Sequence, residues 1–126
     1  MPMNIFTTGA SGFIGKAICS RLSPNSNVIG IDVTAEPDKP TAITWEQANI
    51  ADNDALNAIC EKHSADIIIH CAGIAHQKIG SVDRKTYLKV NSEASENLAK
   101  TAARNNPQLL FVFLSTISVY GENPLR

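Results

Sequence analysis

Short, nearly unbroken apolar runs alternate along this chain with longer stretches whose apolar residues recur every three or four positions, so strand and helix periods take turns. Residues 4–7 form the first run. The segment after it carries Phe13, Ile14, Ala17, Ile18 and Leu22, an i, i+4 stripe expected to face a sheet, and should stop at Ser23, Pro24 and Asn25. Residues 27–32 read as a second, fully buried strand, and a polar, proline-bounded loop over 36–40 leads to a third within 42–50. Asp52 is placed as the N-cap of a helix whose apolar face is Ala55, Leu56, Ile59 and Cys60. Residues 66–73 are too continuously apolar to keep a solvated face. A long helix over about 83–105 should bury Tyr87, Val90, Asn91, Ala94, Leu98 and Ala102, and residues 109–114 supply a fifth strand. Such alternation with right-handed crossovers predicts an α/β fold: one doubly wound parallel sheet, covered on both faces, with strand order 3-2-1-4-5.

Composition narrows the function classes. With 126 residues and 44% hydrophobic content the chain buries one real core, and a formal net charge of −1 gives no electrostatic case for nucleic acid or an anionic membrane. The start, Met1-Pro2-Met3-Asn4, lacks a basic leader region, and apolar stretches such as 109–114 are far too short to cross a bilayer, so the expected location is cytoplasmic. Three cysteines, Cys19, Cys60 and Cys71, fall on elements expected to be buried and form no CxxC pair, which favours reduced core thiols over a disulfide or a metal. His63 and His76 have no Cys or Glu at ligand spacing, so no metal is expected. His70, inside a buried strand, reads as a satisfied core histidine.

The chemistry begins at Thr8-Gly9-Ala10-Ser11-Gly12-Phe13-Ile14-Gly15, which joins the first strand to the first helix. Three glycines at this spacing let the backbone bend sharply, approach a pyrophosphate without Cβ interference, and seat the helix close to the sheet, while N–H groups at the helix start face the anion. Asp32 stands twenty residues beyond Gly12 at the end of the second strand, where a carboxylate accepts hydrogen bonds from an adenosine ribose. Val33 and Thr34 follow it and no Arg does, so nothing is there to hold a 2′-phosphate and NAD is favoured over NADP.

In their order along the chain, the glycine turn, Asp32, Asn49-Ile50-Ala51-Asp52, His70-Cys71-Ala72-Gly73, Val90-Asn91 and Ser115-Thr116-Ile117-Ser118-Val119-Tyr120-Gly121 resemble the extended short-chain dehydrogenase/reductases, especially the NAD-dependent nucleotide-sugar epimerases and dehydratases. The resemblance implies a Rossmann-like fold in which Asn49 and Ile50 border the adenine, and Cys71, Ala72 and Gly73 lie under the adenosine and pyrophosphate. Asn49 stands where the family usually has Asp, and its side-chain oxygen can still accept from the adenine amino group. Asn91 is implied to brace the active-site end of the sheet through backbone hydrogen bonds. Thr116 is the implied catalytic residue, its hydroxyl holding the substrate oxygen while a tyrosine transfers the proton. Tyr120 has Pro124, not Lys, at the fourth position after it, so it reads as substrate-side or structural.

Family members carry a Tyr-x-x-x-Lys pair beyond the Ser/Thr motif, and none occurs in these 126 residues. The resemblance therefore implies an NAD-binding domain over 1–126, truncated after the fifth strand, without the sixth strand and the C-terminal substrate domain. The parent would act on a nucleotide-diphosphate sugar; the fragment would be inactive alone, and its uncovered apolar surface would favour self-association or a homodimer. The alternatives are a reductase or dehydrogenase of the same family with another substrate, and a non-catalytic dinucleotide-binding module.

Overall fold

The computed structural model describes residues 2–38, 42–72, 83, 85–86 and 89–114. Five parallel strands, β1 (Asn4–Thr8), β2 (Asn27–Asp32), β3 (Thr44–Gln47), β4 (Ile67–His70) and β5 (Leu110–Phe113), form one sheet in the order β3-β2-β1-β4-β5. The expected topology holds, with β3 confined to four residues of its predicted stretch. The register places Thr8 opposite both Ile31 and His70, so β1, β2 and β4 end level with one another at one edge of the sheet. That edge is where the crossover turns converge.

Helices α2 (Asn53–His63) and α3 (Ala94–Asn105) cover one face. Asp52 caps α2 by accepting from the Ala55 N–H at 3.1 Å, as its position before the apolar pattern predicts. Leu56, Ile59 and Cys60 from α2, and Leu98 and Ala102 from α3, pack on Phe6, Ile29, Ile31 and Ile68. Asn106 closes α3 by donating to the Ala65 carbonyl at 3.0 Å, which ties the end of the helix to the start of β4.

Helix α1 (Phe13–Leu22) lies on the opposite face and differs from its predicted orientation. Its buried residues are Gly15 and Cys19, whereas Phe13 is 95% exposed and Ile14 55%. The cause is the closeness of approach: a Cβ on Gly15 would collide with the Gly9 carbonyl, so the side with the smallest side chains meets the sheet and the larger apolar ones ride on its flank. The buried cluster here is Ala10, Cys19 and Val28, with Leu22, Ile43 and Trp45 packed around it. Over β4 the flank of α1 leaves an open groove of about 520 Å³ lined by Ile14, Ile18, Leu22 and Ile69, and on β5 Leu110 is 57% exposed. Helices thus flank the sheet on both faces, as expected, and among the described residues the α1 face is the more open of the two.

The predicted long helix is also interrupted. Lys89–Glu93 form a π-helical turn, and regular α-helix starts at Ala94. Ser95 contributes to this switch, since its Oγ bonds the Asn91 carbonyl at 3.4 Å, a back-bond that competes with the helical ladder. Ala94, Leu98 and Ala102 are buried as predicted; the Tyr87 and Val90 side chains lie outside the described residues.

Candidate functional site

The carboxyl edge of the sheet holds a cleft of about 390 Å³. Gly9, Ser11 and Gly12 enter it from the β1–α1 turn, Asp32 and Val33 from the end of β2, Asn49 and Ile50 from the segment after β3, and Cys71 and Ala72 from the segment after β4. Four separate stretches of sequence thereby meet around one space; the glycine turn and Asp32 were singled out by their residues, Asn49, Ile50, Cys71 and Ala72 by the family resemblance. Phe13, Ile14 and Gly15 do not line the cleft: Gly15 is the packing contact against Gly9, and the other two point to solvent. Asn91 sits half-buried in the π-helical turn, away from the cleft lining. Gly73, Thr116 and Tyr120 lie outside the described residues.

The three glycines of the turn are required for different reasons. Gly9 has φ +67°, in the left-handed region, and a Cβ there would come within 2.9 Å of the Ala72 backbone nitrogen. Gly15 is required by the helix–strand contact. Gly12 has φ −72°, which any residue adopts, and its Cβ would meet only the Gly9 oxygen, at 3.3 Å. Gly12 is also the N-cap of α1 and brings no side-chain acceptor to the helix start, so the first-turn N–H groups are left uncapped by a side chain. The partial positive charge of the helix end adds to them.

Asp32 is 9% exposed, and its carboxylate is held firmly. Oδ2 accepts from the Ser11 N–H at 3.0 Å and the Ser11 hydroxyl at 2.9 Å, and Oδ1 accepts from the Thr34 N–H at 2.9 Å. Burial opposes ionisation, but these hydrogen bonds together outweigh it and keep the carboxyl below its ordinary range. The Thr34 hydroxyl adds a further hydrogen bond to the same carboxylate. Asn49 Oδ1 accepts from the Ala51 N–H at 2.9 Å in an Asx-type turn and has a second lone pair.

The floor of the cleft depends on the first residue of the glycine motif, to which the sequence reading gave no role. Thr8 Oγ1, fully buried at the end of β1, accepts from the backbone N–H groups of both Cys71 and Ala72 at 3.0 Å. A threonine ending a strand looks like an ordinary β-former; its place directly before the glycine turn was the available signal. Cys19 and Cys60 are buried and Cys71 half-buried, all as free thiols, and burial pushes each thiol pKa up. Among the described residues no helix is long and apolar enough to cross a membrane, and no three potential ligands group around a metal position.

Comparison with known proteins agrees with this geometry. The chain is 29% identical over 132 residues to a UDP-glucose 4-epimerase of Vibrio cholerae, a match that takes in 99% of this chain and 38% of the relative. It is 33% identical over 107 residues to the methionine adenosyltransferase 2 subunit beta of Xenopus laevis, covering 83% of this chain and 30% of that one. Among solved structures, the UDP-glucose 4-epimerase of Thermotoga maritima with UDP-glucose superimposes with a TM-score of 0.84 at 26% identity, over 96% of this chain and 40% of that one. A variant of uronate dehydrogenase from Agrobacterium tumefaciens complexed with NAD gives 0.75 at 27% identity, over 92% and 42%. The chain thus spans about two fifths or less of the length of these relatives. Its residues 5–125 match the NAD dependent epimerase/dehydratase family, and the chain belongs to that family.

Proposed function

We propose that this chain is the amino-terminal, adenosine-binding part of an NAD-dependent epimerase or dehydratase acting on a nucleotide-diphosphate sugar. The observation that carries the reading is the contrast at Gly12: the fold itself excludes a side chain at Gly9 and Gly15, while a Cβ on Gly12 would press only on the Gly9 oxygen, at 3.3 Å, with space beyond it for a ligand. The residues present fit the adenosine half of a dinucleotide. A cleft of about 390 Å³ lies in the roughly 300–1,000 Å³ range of ligand sites. The uncapped start of α1 suits a pyrophosphate, the Asp32 carboxylate suits a ribose hydroxyl, and Asn49 and Ile50 form an adenine wall.

When bound, NAD would supply a hydride acceptor and donor, leaving net redox at zero in an epimerase. In this reading Thr116 orients the substrate oxygen, and the proton-transferring tyrosine and its lysine belong to the parent protein. The 126-residue chain alone turns over no nucleotide sugar, and it self-associates through apolar side chains exposed among the described residues, Leu110 and Val112 of β5.

Calorimetric titration with NAD and NADP tests the cofactor. Tighter binding of NAD is expected, with Asp32→Ala narrowing the preference, because the carboxylate repels a 2′-phosphate. Gly12→Val should abolish binding while circular dichroism stays unchanged. Equal or tighter NADP binding, or undiminished affinity in Gly12→Val, would overturn the assignment. A dehydrogenase acting on another substrate is the second reading, favoured by the likeness to uronate dehydrogenase. A non-catalytic module is the third, favoured by the likeness to a protein named as a subunit of an adenosyltransferase. A Tyr-x-x-x-Lys pair in the parent protein separates an enzyme from a non-catalytic module, and assaying that protein over a panel of nucleotide sugars then separates epimerase, dehydratase and reductase.

A further inference from the structure

His70 is 2% exposed, packed against the tilted rings of Phe111 and Phe113 with centroids 5.9 and 5.6 Å away, and hydrogen-bonded at both nitrogens. Nδ1 lies 2.7 Å from Thr8 Oγ1, and Nε2 lies 2.7 Å from Ser95 Oγ. The tautomer follows from counting lone pairs. Thr8 Oγ1 already accepts two backbone N–H groups, from Cys71 and Ala72, which fills its acceptor capacity. Its own proton must therefore go to Nδ1, so Nδ1 is the unprotonated nitrogen and the ring carries its proton on Nε2. That proton is donated to Ser95 Oγ, whose hydroxyl donates onward to the Asn91 carbonyl at 3.4 Å. Every donor and acceptor in this line has one permitted direction.

We propose that His70, neutral and protonated at Nε2, is a positioning residue of the dinucleotide cleft: through Thr8 it fixes the Cys71–Ala72 floor, and through Ser95 it ties that floor to the π-helical turn at Asn91. The link to the cofactor rests on the NAD-binding reading above; the hydrogen-bond line does not. A second proton on the ring would place a third donor against Thr8 Oγ1 and force it to release Cys71 or Ala72. The elements packed on the ring present Thr8 from β1, Phe111 and Phe113 from β5 and Ser95 from α3, and the acids flanking Ser95, Glu93 and Glu96, are exposed. Burial alone pushes the imidazole below its ordinary range.

Long-range ¹⁵N–¹H correlation on the 126-residue chain reads the tautomer directly. A pyridine-type Nδ1 with a pyrrole-type Nε2 at neutral pH is expected; the reverse pattern, or a doubly protonated ring, overturns the proposal. Two variants then test positioning at temperatures where each is folded. Ser95→Ala, at a half-buried helix site, should weaken NAD binding by roughly two- to tenfold, the effect of one hydrogen bond, and speed amide exchange at Cys71 and Ala72. Thr8→Val should do both more strongly. A folded Ser95→Ala protein with unchanged NAD affinity and unchanged exchange, whatever its melting temperature, would refute the positioning role. If the wild-type chain binds no NAD, it is the cofactor reading that falls, and the tautomer and the amide exchange still decide the role of His70.

Discussion

The two faces of the sheet are built on different principles. On the α2–α3 face, large side chains, Phe6, Ile31, Leu56, Ile68 and Leu98, are fully buried in one cluster. On the α1 face the buried cluster is Ala10, Cys19 and Val28, and its contacts come from the absence of side chains, with Gly15 against Gly9 and Gly30 against Ala10. The first face stabilises by apolar area removed from water. The second gives up that area to bring the backbone of α1 close to the sheet, which aims the helix start at the cleft. Stability and site geometry are thereby assigned to opposite sides of the same strands.

The strongest challenge to this division is a pair of truncations. Leu98→Ala, at a fully buried position, should cost about 2–5 kcal/mol, and Leu110→Ala, at a 57% exposed position on the α1 face, about 0.5 kcal/mol or less. Urea unfolding of both checks it, and equal losses would mean that Leu110 is as buried as Leu98. Next in size, Gly15→Ala forces a Cβ onto the Gly9 carbonyl and should cost about 1–3 kcal/mol, whereas Gly12→Ala should leave the unfolding midpoint nearly unchanged.

A smaller effect comes with acid. The His70 pKa is lowered in the folded protein, so below about pH 6.5 the unfolded chain takes up a proton that the folded one refuses. The stability tied to His70 is fully present above that pH and declines as the pH falls toward the folded pKa, by at most about 1.4 kcal/mol per pH unit. Urea midpoints at pH 7.5, 6.5 and 5.5 should show the decline, and His70→Gln should flatten it. Smallest of all in stability, Leu110→Ser with Val112→Ser should shift unfolding by about 0.5 kcal/mol or less while reducing light-scattering mass and binding of an apolar dye.

How much of this was legible from sequence depended on whether a signal lay in side chains or in their absence. The strands and their order followed from apolar runs, and Asp32 and Asp52 announced themselves as carboxylates at strand and helix boundaries. The orientation of α1 was misjudged because an apolar stripe is a count of large residues, and here Gly15 and Cys19 won the contact by being small. The π-helical turn went unseen because it depends on a serine hydroxyl competing with the backbone four residues earlier, which no periodicity records. Thr8 was overlooked because its work is done by two amide donors sixty residues away.

The meeting of Gly9, Gly15 and Ala72 also limits how this cleft can diversify. The room for a Cβ on Gly15 is filled by the Gly9 carbonyl, and the room for one on Gly9 is filled by the Ala72 backbone, so three chain segments touch with no side chain between them. A side chain added at Gly9 or Gly15 meets backbone, so no second substitution could shorten a neighbour in compensation. Variation that retunes which dinucleotide fits is therefore channelled to the rim, to Ser11, Val33 and Asn49, where side chains can lengthen, shorten or change charge without moving the backbone.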